Sequence, residues 1–255
     1  MEKDKSIRTV IIDDEQTARF VLRNKLEEYF SDTVHIAGEA DDIASGLALI
    51  HETNPQLLFL DIRLRNGTGF ELLNQLENIN FEVVFVTAYD NFAIQAFEFS
   101  ATGYLLKPVK IDDLRKTIGR VGVHIQKQDN HDTRIRVLID NYNSAQGQIK
   151  RMVISSMAGF EVVNMDEIIR LEAERNYTHF ILTDGRKMTV SKTIGNYEPL
   201  LAEHGFYRVH QSHIINLRHV RSYLKAEGGK VKMSDGEIIY ISRQRKNGFT
   251  ELFIG

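Results

Sequence analysis

Five side chains in the first half of the chain could do phosphorus chemistry together. Asp61 ends the apolar run Leu57-Leu58-Phe59-Leu60, and Asp13 and Asp14 end another, Val10-Ile11-Ile12. Thr87 ends Val83-Val84-Phe85-Val86, and Lys107 follows Tyr104-Leu105-Leu106 and precedes Pro108. Carboxylates packed together repel by roughly 1–4 kcal/mol per pair at about 4 Å, depending on local dielectric. A hard divalent cation relieves this, and Mg²⁺ binds through a few carboxylates while keeping waters and accepting phosphate oxygens. A carboxylate beside such a cation can attack phosphorus and form an acyl phosphate. Lys107 and the Thr87 hydroxyl would then neutralise the oxygens of the transferred group. Each residue also has a plainer reading: Asp61 as a turn residue, Asp13-Asp14 as a helix N-cap pair, Thr87 as a cap, Lys107 as a surface charge. Those readings explain poorly why all five stand at the ends of apolar runs.

The runs recur at regular spacing: Thr9–Ile12, Val34–Ala37, Leu57–Leu60, Val83–Val86 and Gly103–Leu106. Between them lie stretches of helical period. Phe20, Val21, Leu22, Leu26, Tyr29 and Phe30 suit one apolar face, and Ile43, Leu47 and Ile50 suit a second that stops before Pro55. Leu72, Leu73 and Leu76 suit a third, Ile94, Phe97 and Ala101 a fourth, and Ile111, Leu114, Ile118 and Val121 a fifth. Short continuous apolar runs alternating with helices predict a doubly wound α/β domain, with a five-stranded parallel sheet buried on both faces. In such sheets ligands gather outside the carboxyl ends of the strands, which is where the five side chains fall.

On these residues the segment 6–125 resembles a response regulator receiver domain. The motifs are Ile-Ile-Asp-Asp-Glu at 11–15, Leu-Asp-Ile-Arg-Leu at 60–64 with Gly69 downstream, Val-Thr-Ala at 86–88, and Tyr-Leu-Leu-Lys-Pro at 104–108. The resemblance implies that Asp61 is the phosphoacceptor. Asp13, Asp14, Asp61 and the backbone carbonyl of Arg63 would hold Mg²⁺, with Thr87 and Tyr104 as a switch pair. It implies that Lys107-Pro108 is cis, and that Arg63 and Tyr89 tune phosphoryl lifetime. After phosphorylation a face that includes the Phe-rich segment Asn91–Ser100 would be remade as a dimer surface. Arg65 departs from the family, which usually has proline there.

Composition bounds the setting. The chain has 255 residues and no cysteine, which excludes disulfides, thiolate metal sites and a cysteine nucleophile. It has no apolar stretch of signal-peptide or membrane-spanning length, so a soluble cytoplasmic protein is expected. The net charge of −3 hides an asymmetry: residues 1–125 hold 13 Lys and Arg against 20 Asp and Glu, whereas residues 150–255 hold 16 against 12. An acidic front and a mildly basic back suggest two jobs, the second on nucleic acid. Polar residues mark 126–149 as a linker, in which the partial helical spacing of Ile135, Leu138 and Ile139 would either extend the fifth helix or form a separate short one.

From Lys150 the pattern shifts to strands and hairpins. Asp184-Gly185 and Asp235-Gly236 are hairpin signals, Pro199 should start or break a helix rather than sit within one, and a short helix is expected from Ser242. Basic and polar residues cluster in the predicted loops: Arg175-Asn176-Tyr177, His210-Gln211-Ser212-His213, and Arg243-Gln244-Arg245-Lys246. Arg, Asn and Gln can read base edges and Lys or His can hold phosphate, but solvent-facing loops have the same composition. The order Asp166–Tyr177, Gly205–Asn216 and Ile241-Ser242-Arg243 is similar to the LytTR DNA-binding domain over roughly 150–255. That resemblance implies a mostly β, ten-stranded fold whose loops enter successive major grooves. Arg175, Asn176, Tyr177, His210, Gln211, Arg243 and Arg245 would then contact DNA, with Gln211 and Arg243 on bases and His210 equally able to be a structural histidine.

The expectation is a two-component regulator. It takes a phosphoryl group from a sensor histidine kinase, binds double-stranded promoter DNA and dimerises when phosphorylated. Two rivals remain: a receiver controlling a protein-docking or RNA-binding module, and a hydrolase of small phosphorylated substrates. No triad or metal-ligand cluster is found in 126–255 to support catalysis there.

Overall fold

Alternation of side chains along a strand splits each apolar run between two cores. In β3 (Leu57–Leu60), Leu58 and Leu60 face one side with Val10, Ile12, Val83 and Phe85, while Leu57 and Phe59 face the other with Ile11, Val84 and Val86. Residues buried on both faces need helices on both faces, and this computed structural model provides them. It describes residues 6–88, 103–127, 131–143, 149–156, 159–225 and 228–254. The expected fourth helix, Tyr89 and the Phe-rich segment lie outside those residues. The chain divides into two units, Met1–Asn143 and Ser144–Gly255.

In the first unit β1 (Ile7–Ile12), β2 (Val34–Ala40), β3, β4 (Glu82–Thr87) and β5 (Gly103–Leu106) form a parallel sheet in the order β2-β1-β3-β4-β5. The order reverses between β1 and β3, the point outside which open α/β sheets bind their ligands. Helix Gln16–Phe30 buries only Leu22 and Leu26, with Phe30 packed alongside. Its stripe is narrower than its hydrophobicity suggests: Phe20 is 58% exposed and Tyr29 48%, because the i, i+4, i+8 row alone meets the sheet. Helix Ile43–Thr53 opens with an Asp42/Ser45 capping box and closes on left-handed Asn54, just before Pro55. Helix Gly69–Asn74 opens with a second box, Thr68/Glu71. Helix Ile111–Lys127 packs Leu114, Ile118 and Val121 on the opposite face from it.

Within the expected linker 126–149 the apolar residues form a separate helix, His131–Asn143. Ile135, Leu138 and Ile139 are at most 3% exposed and join Leu76, Ile79 and Phe81 in one core. Asp132 accepts from the Ile79 amide at 3.2 Å, and Arg136 donates to the carbonyls of Leu76 at 2.7 Å and Glu77 at 3.0 Å. The helix therefore closes the first unit instead of merely leading to the second. Leu138→Ala in the full-length chain is expected to destabilise that unit by about 2–5 kcal/mol, read by urea unfolding. A loosely tethered helix would give less than about 0.5 kcal/mol.

The second unit has ten strands among the described residues. They are β6 (Arg151–Ser156), β7 (Gly159–Asn164), β8 (Ile168–Glu174), β9 (Tyr177–Leu182), β10 (Lys187–Val190), β11 (Phe206–His210), β12 (His213–Asn216), β13 (Val220–Leu224), β14 (Lys230–Met233) and β15 (Ile238–Tyr240). They form an antiparallel sheet β10-β9-β8-β12-β11, a three-stranded sheet β13-β14-β15 and the hairpin β6-β7. The two Asp-Gly turns place Gly185 at φ 83° and Gly236 at φ 91°, a region that favours glycine. Pro199 sits in the first turn of helix Glu198–Ala202, where its missing N–H is harmless, and helix Arg243–Ile254 ends the chain.

Candidate functional site

Register brings the acids level. Ile12 pairs with Leu60, so Asp13 and Asp61 leave adjacent strands side by side, and the Asp61 amide donates to the Ile12 carbonyl at 2.8 Å. Candidate ligand atoms of Asp13, Asp14 and Asp61 all lie within 4.8 Å of one another. Asp13 is 4% and Asp61 5% exposed. Lys107 Nζ reaches both, 2.6 Å from Asp61 Oδ2 and 2.8 Å from Asp13 Oδ2. Burial raises the Asp13 pKa above the usual carboxylate value, and the Lys107 contact only partly offsets this. Burial opposes the charge on Lys107, but its bonds to Asp13 and Asp61 outweigh it and hold the ammonium above its ordinary value.

The sheet also delivers the other expected residues. Thr87, fully buried, ends β4 opposite Leu106, and its carbonyl accepts from the Lys107 amide at 2.8 Å. Tyr104, half-buried on β5, pairs with Phe85 two positions earlier in that ladder. The Lys107-Pro108 peptide is cis. The Arg63 amide donates to Asp61 Oδ1 at 3.2 Å, while Arg63 itself is exposed. Gly69 is required by close approach: a Cβ there would stand 2.4 Å from the Asp61 carbonyl oxygen. Arg65, where proline was expected, is exposed and pairs with Asp41 at 3.2 Å.

In the second unit the three polar loops are found at strand ends and a helix start. Arg175 adopts a left-handed φ of 53° in the β8–β9 turn, and with Asn176 and Tyr177 it is exposed. Gln211 is exposed in the β11–β12 turn. His210 is engaged within the fold: its Nδ1 lies 2.8 Å from Ser212 Oγ, which lies 2.8 Å from His213 Nδ1. Burial holds the His213 pKa below its usual value, against the pull of Glu172. Arg243 is exposed at the start of the last helix, whereas Arg245 binds Glu198 at 3.0 Å.

Comparison with known proteins gives the same division. A model of the response regulator receiver domain matches residues 9–119, and a model of the LytTr DNA-binding domain matches 158–254. The sensory transduction protein LytT of Bacillus subtilis (strain 168) is 30% identical over 242 residues, covering 93% of this chain and 95% of that protein. The chain belongs to the LytTR response regulators. The transcriptional regulatory protein BtsR of Escherichia coli (strain K12) is 28% identical over 244 residues, covering 93% of this chain and 95% of its own. The signal receiver domain of the putative response regulator NarL from Mycobacterium tuberculosis has a TM-score of 0.40 at 28% identity, covering 48% of this chain and 98% of that one.

Within this LytTR response regulator, Asp13, Asp14, Asp61, Thr87 and Lys107 stand on one sheet edge. Sequence reasoning missed three residues that order the second unit: Arg170, Glu198 and Arg208. Arg170 and Arg208 alternate with apolar neighbours along β8 and β11, a period-two pattern that marks a solvent-facing side chain and so conceals their need for a carboxylate. Nothing local marks Glu198 as that partner. Among the described residues no helix is long and apolar enough to cross a membrane.

Proposed function

We propose that the protein is a phosphorylation-dependent transcriptional regulator acting in the cytoplasm. Asp61 accepts a phosphoryl group from a sensor histidine kinase, and the LytTR domain binds promoter DNA, as a dimer once phosphorylated. The observation that carries the first half is the buried acid cluster bridged by Lys107 at 2.6 Å from Asp61 Oδ2. Three converging carboxylates, two of them buried, suit a hard cation, and Asp13, Asp14, Asp61 and the Arg63 carbonyl would hold Mg²⁺. Bound there, Mg²⁺ would neutralise charge on the phosphoryl oxygens.

The chain's own groups do the rest. Asp61 Oδ attacks phosphorus, the bond to the donor's leaving group breaks, and an acyl phosphate stands on Asp61. Lys107, held cationic, exchanges its carboxylate contact for a phosphoryl oxygen. The Thr87 hydroxyl donates to a second oxygen, and Tyr104 follows Thr87 inward to remake the neighbouring surface. The protein carries a stoichiometric phosphoryl group rather than turning over a small substrate.

In the DNA-binding half, Arg175, Asn176 and Tyr177 meet one groove, and Gln211 and Arg243 reach base edges in the next. The internal bonds of His210 favour the structural reading for that residue. Half-sites of a dimer should be spaced by about 10 bp or multiples. A mobility shift after treatment with Mg²⁺ and acetyl phosphate tests this. Affinity for duplex should fall by about 10³-fold or more between 50 and 200 mM salt if six or more phosphates are contacted. Flat salt dependence, or preference for single-stranded RNA, would overturn the DNA reading.

A further inference from the structure

Glu198 carries no role in DNA contact by position, yet it lies under both elements proposed to read bases. Its two carboxylate oxygens are divided between two arginines. Oε2 accepts from Arg208 Nη1 at 2.5 Å, and Oε1 lies 3.0 Å from Arg245 Nη2. The Glu198 side chain is 27% exposed and that of Arg208 20%.

Arg208 directs two more donors to the β11–β12 turn. Nη2 donates to the Gln211 carbonyl at 2.7 Å and Nε to the His210 carbonyl at 3.3 Å. Carbonyls at an exposed turn tip would ordinarily go to water; here a planar guanidinium fork fixes two of them at once. The Ser212 hydroxyl, between His210 and His213, holds the same turn from within. Arg245 is tied on its other side as well, since its carbonyl accepts from Tyr207 Oη at 2.9 Å. The Ser242 amide donates to the Val209 carbonyl at 2.8 Å. Arg243 is therefore bracketed by two attachments to β11.

We propose that Glu198 is a positioning residue for DNA recognition, holding Arg208 and Arg245 so that Gln211 and Arg243 are presented in one geometry. This makes Arg245 a strut instead of a DNA contact, and it rests on the DNA-binding reading above. Pre-organisation of this kind lowers the ordering cost of binding. Charge alone gives the opposite sign. A carboxylate near a polyanion is unfavourable, so removing its charge should strengthen binding to any DNA.

The test is Glu198→Gln in the full-length protein, treated with Mg²⁺ and acetyl phosphate. The probes are a duplex enriched by the wild type from a randomised pool and a scrambled duplex of equal length. The expected result is affinity for the enriched duplex lower by on the order of tenfold, with the scrambled duplex bound as well as or better than by wild type, and an unchanged thermal midpoint. Arg208→Lys keeps the charge but loses the fork, and should lower the same affinity with the salt slope unchanged. Equal or tighter binding of the enriched duplex by Glu198→Gln overturns the proposal. So does a parallel loss on both duplexes, or a loss accompanied by a lowered midpoint, which marks a merely structural role. Failure of the wild type to enrich any duplex overturns the DNA-binding reading itself, and this proposal with it.

Discussion

Asp61→Asn should reduce phosphoryl labelling by Mg²⁺ and acetyl phosphate from near one per chain to background. Asparagine keeps the size of the side chain and its place at the end of β3, so the core beneath is undisturbed. It lacks the anionic oxygen that must attack phosphorus, and no neighbour stands in for it. Asp13 is buried beside it but is bonded to the Glu15 amide at 2.9 Å and to Lys107. Lys107→Ala separates the roles: it retains the nucleophile but removes the fixed cation, and labelling should slow by about 10²–10³-fold. Equal labelling of wild type and Asp61→Asn would remove Asp61 from the chemistry. Turnover of acetyl phosphate without phosphoprotein would favour a hydrolase.

The second large effect concerns the DNA-binding domain's own integrity. Arg170 on β8 has a side chain only 8% exposed. Its Nε lies 2.8 Å from Asp235 Oδ2 in the β14–β15 turn, and its Nη1 bonds to Glu172. One guanidinium thus links the five-stranded sheet to the turn of the three-stranded sheet. Burial opposes the charge on Arg170, but Asp235 and Glu172 outweigh it and hold the group cationic. Arg170→Met leaves two carboxylates without their cation. Breaking a buried pair in this way costs about 3–5 kcal/mol, less here because Glu172 can rehydrate, so about 2–4 kcal/mol is expected.

Hydrogen exchange at Val231 and Ile239 reads that loss locally, and unchanged protection there would show that the contact contributes nothing. Acid should act the same way. Burial opposes ionisation of Glu172, yet Arg170 holds its pKa below the ordinary 4.5. Its contribution is therefore complete above pH 4.5 and is lost as pH falls through the lower folded value.

Much of the first unit is legible in the chain because a parallel strand buried on both faces leaves a continuous apolar run, and β1, β3 and β4 are such runs. The acids are legible for the same reason, since each stands where its run stops. The narrow face of helix Gln16–Phe30 is not legible. Hydrophobicity marks Phe20 and Tyr29 as core candidates, but the distance to the sheet selects Leu22 and Leu26. The docked helix His131–Asn143 sits among polar neighbours, so its three apolar residues look like a weak pattern until Leu76, Ile79 and Phe81 are placed against them.

The amino-acid sequence by itself determined the strand-and-helix alternation, the β-rich second half, and the set Asp13, Asp14, Asp61, Thr87 and Lys107, because each of these is a local pattern of residue type and spacing. Only the tertiary structure decided that Lys107 spans Asp13 and Asp61, since strand register sets which strand ends lie level. It alone paired Arg170 with Asp235 and Glu198 with Arg208 and Arg245. An ion pair between residues 65 positions apart leaves no trace in either neighbourhood; it exists only once two sheets have packed and excluded water around the charge.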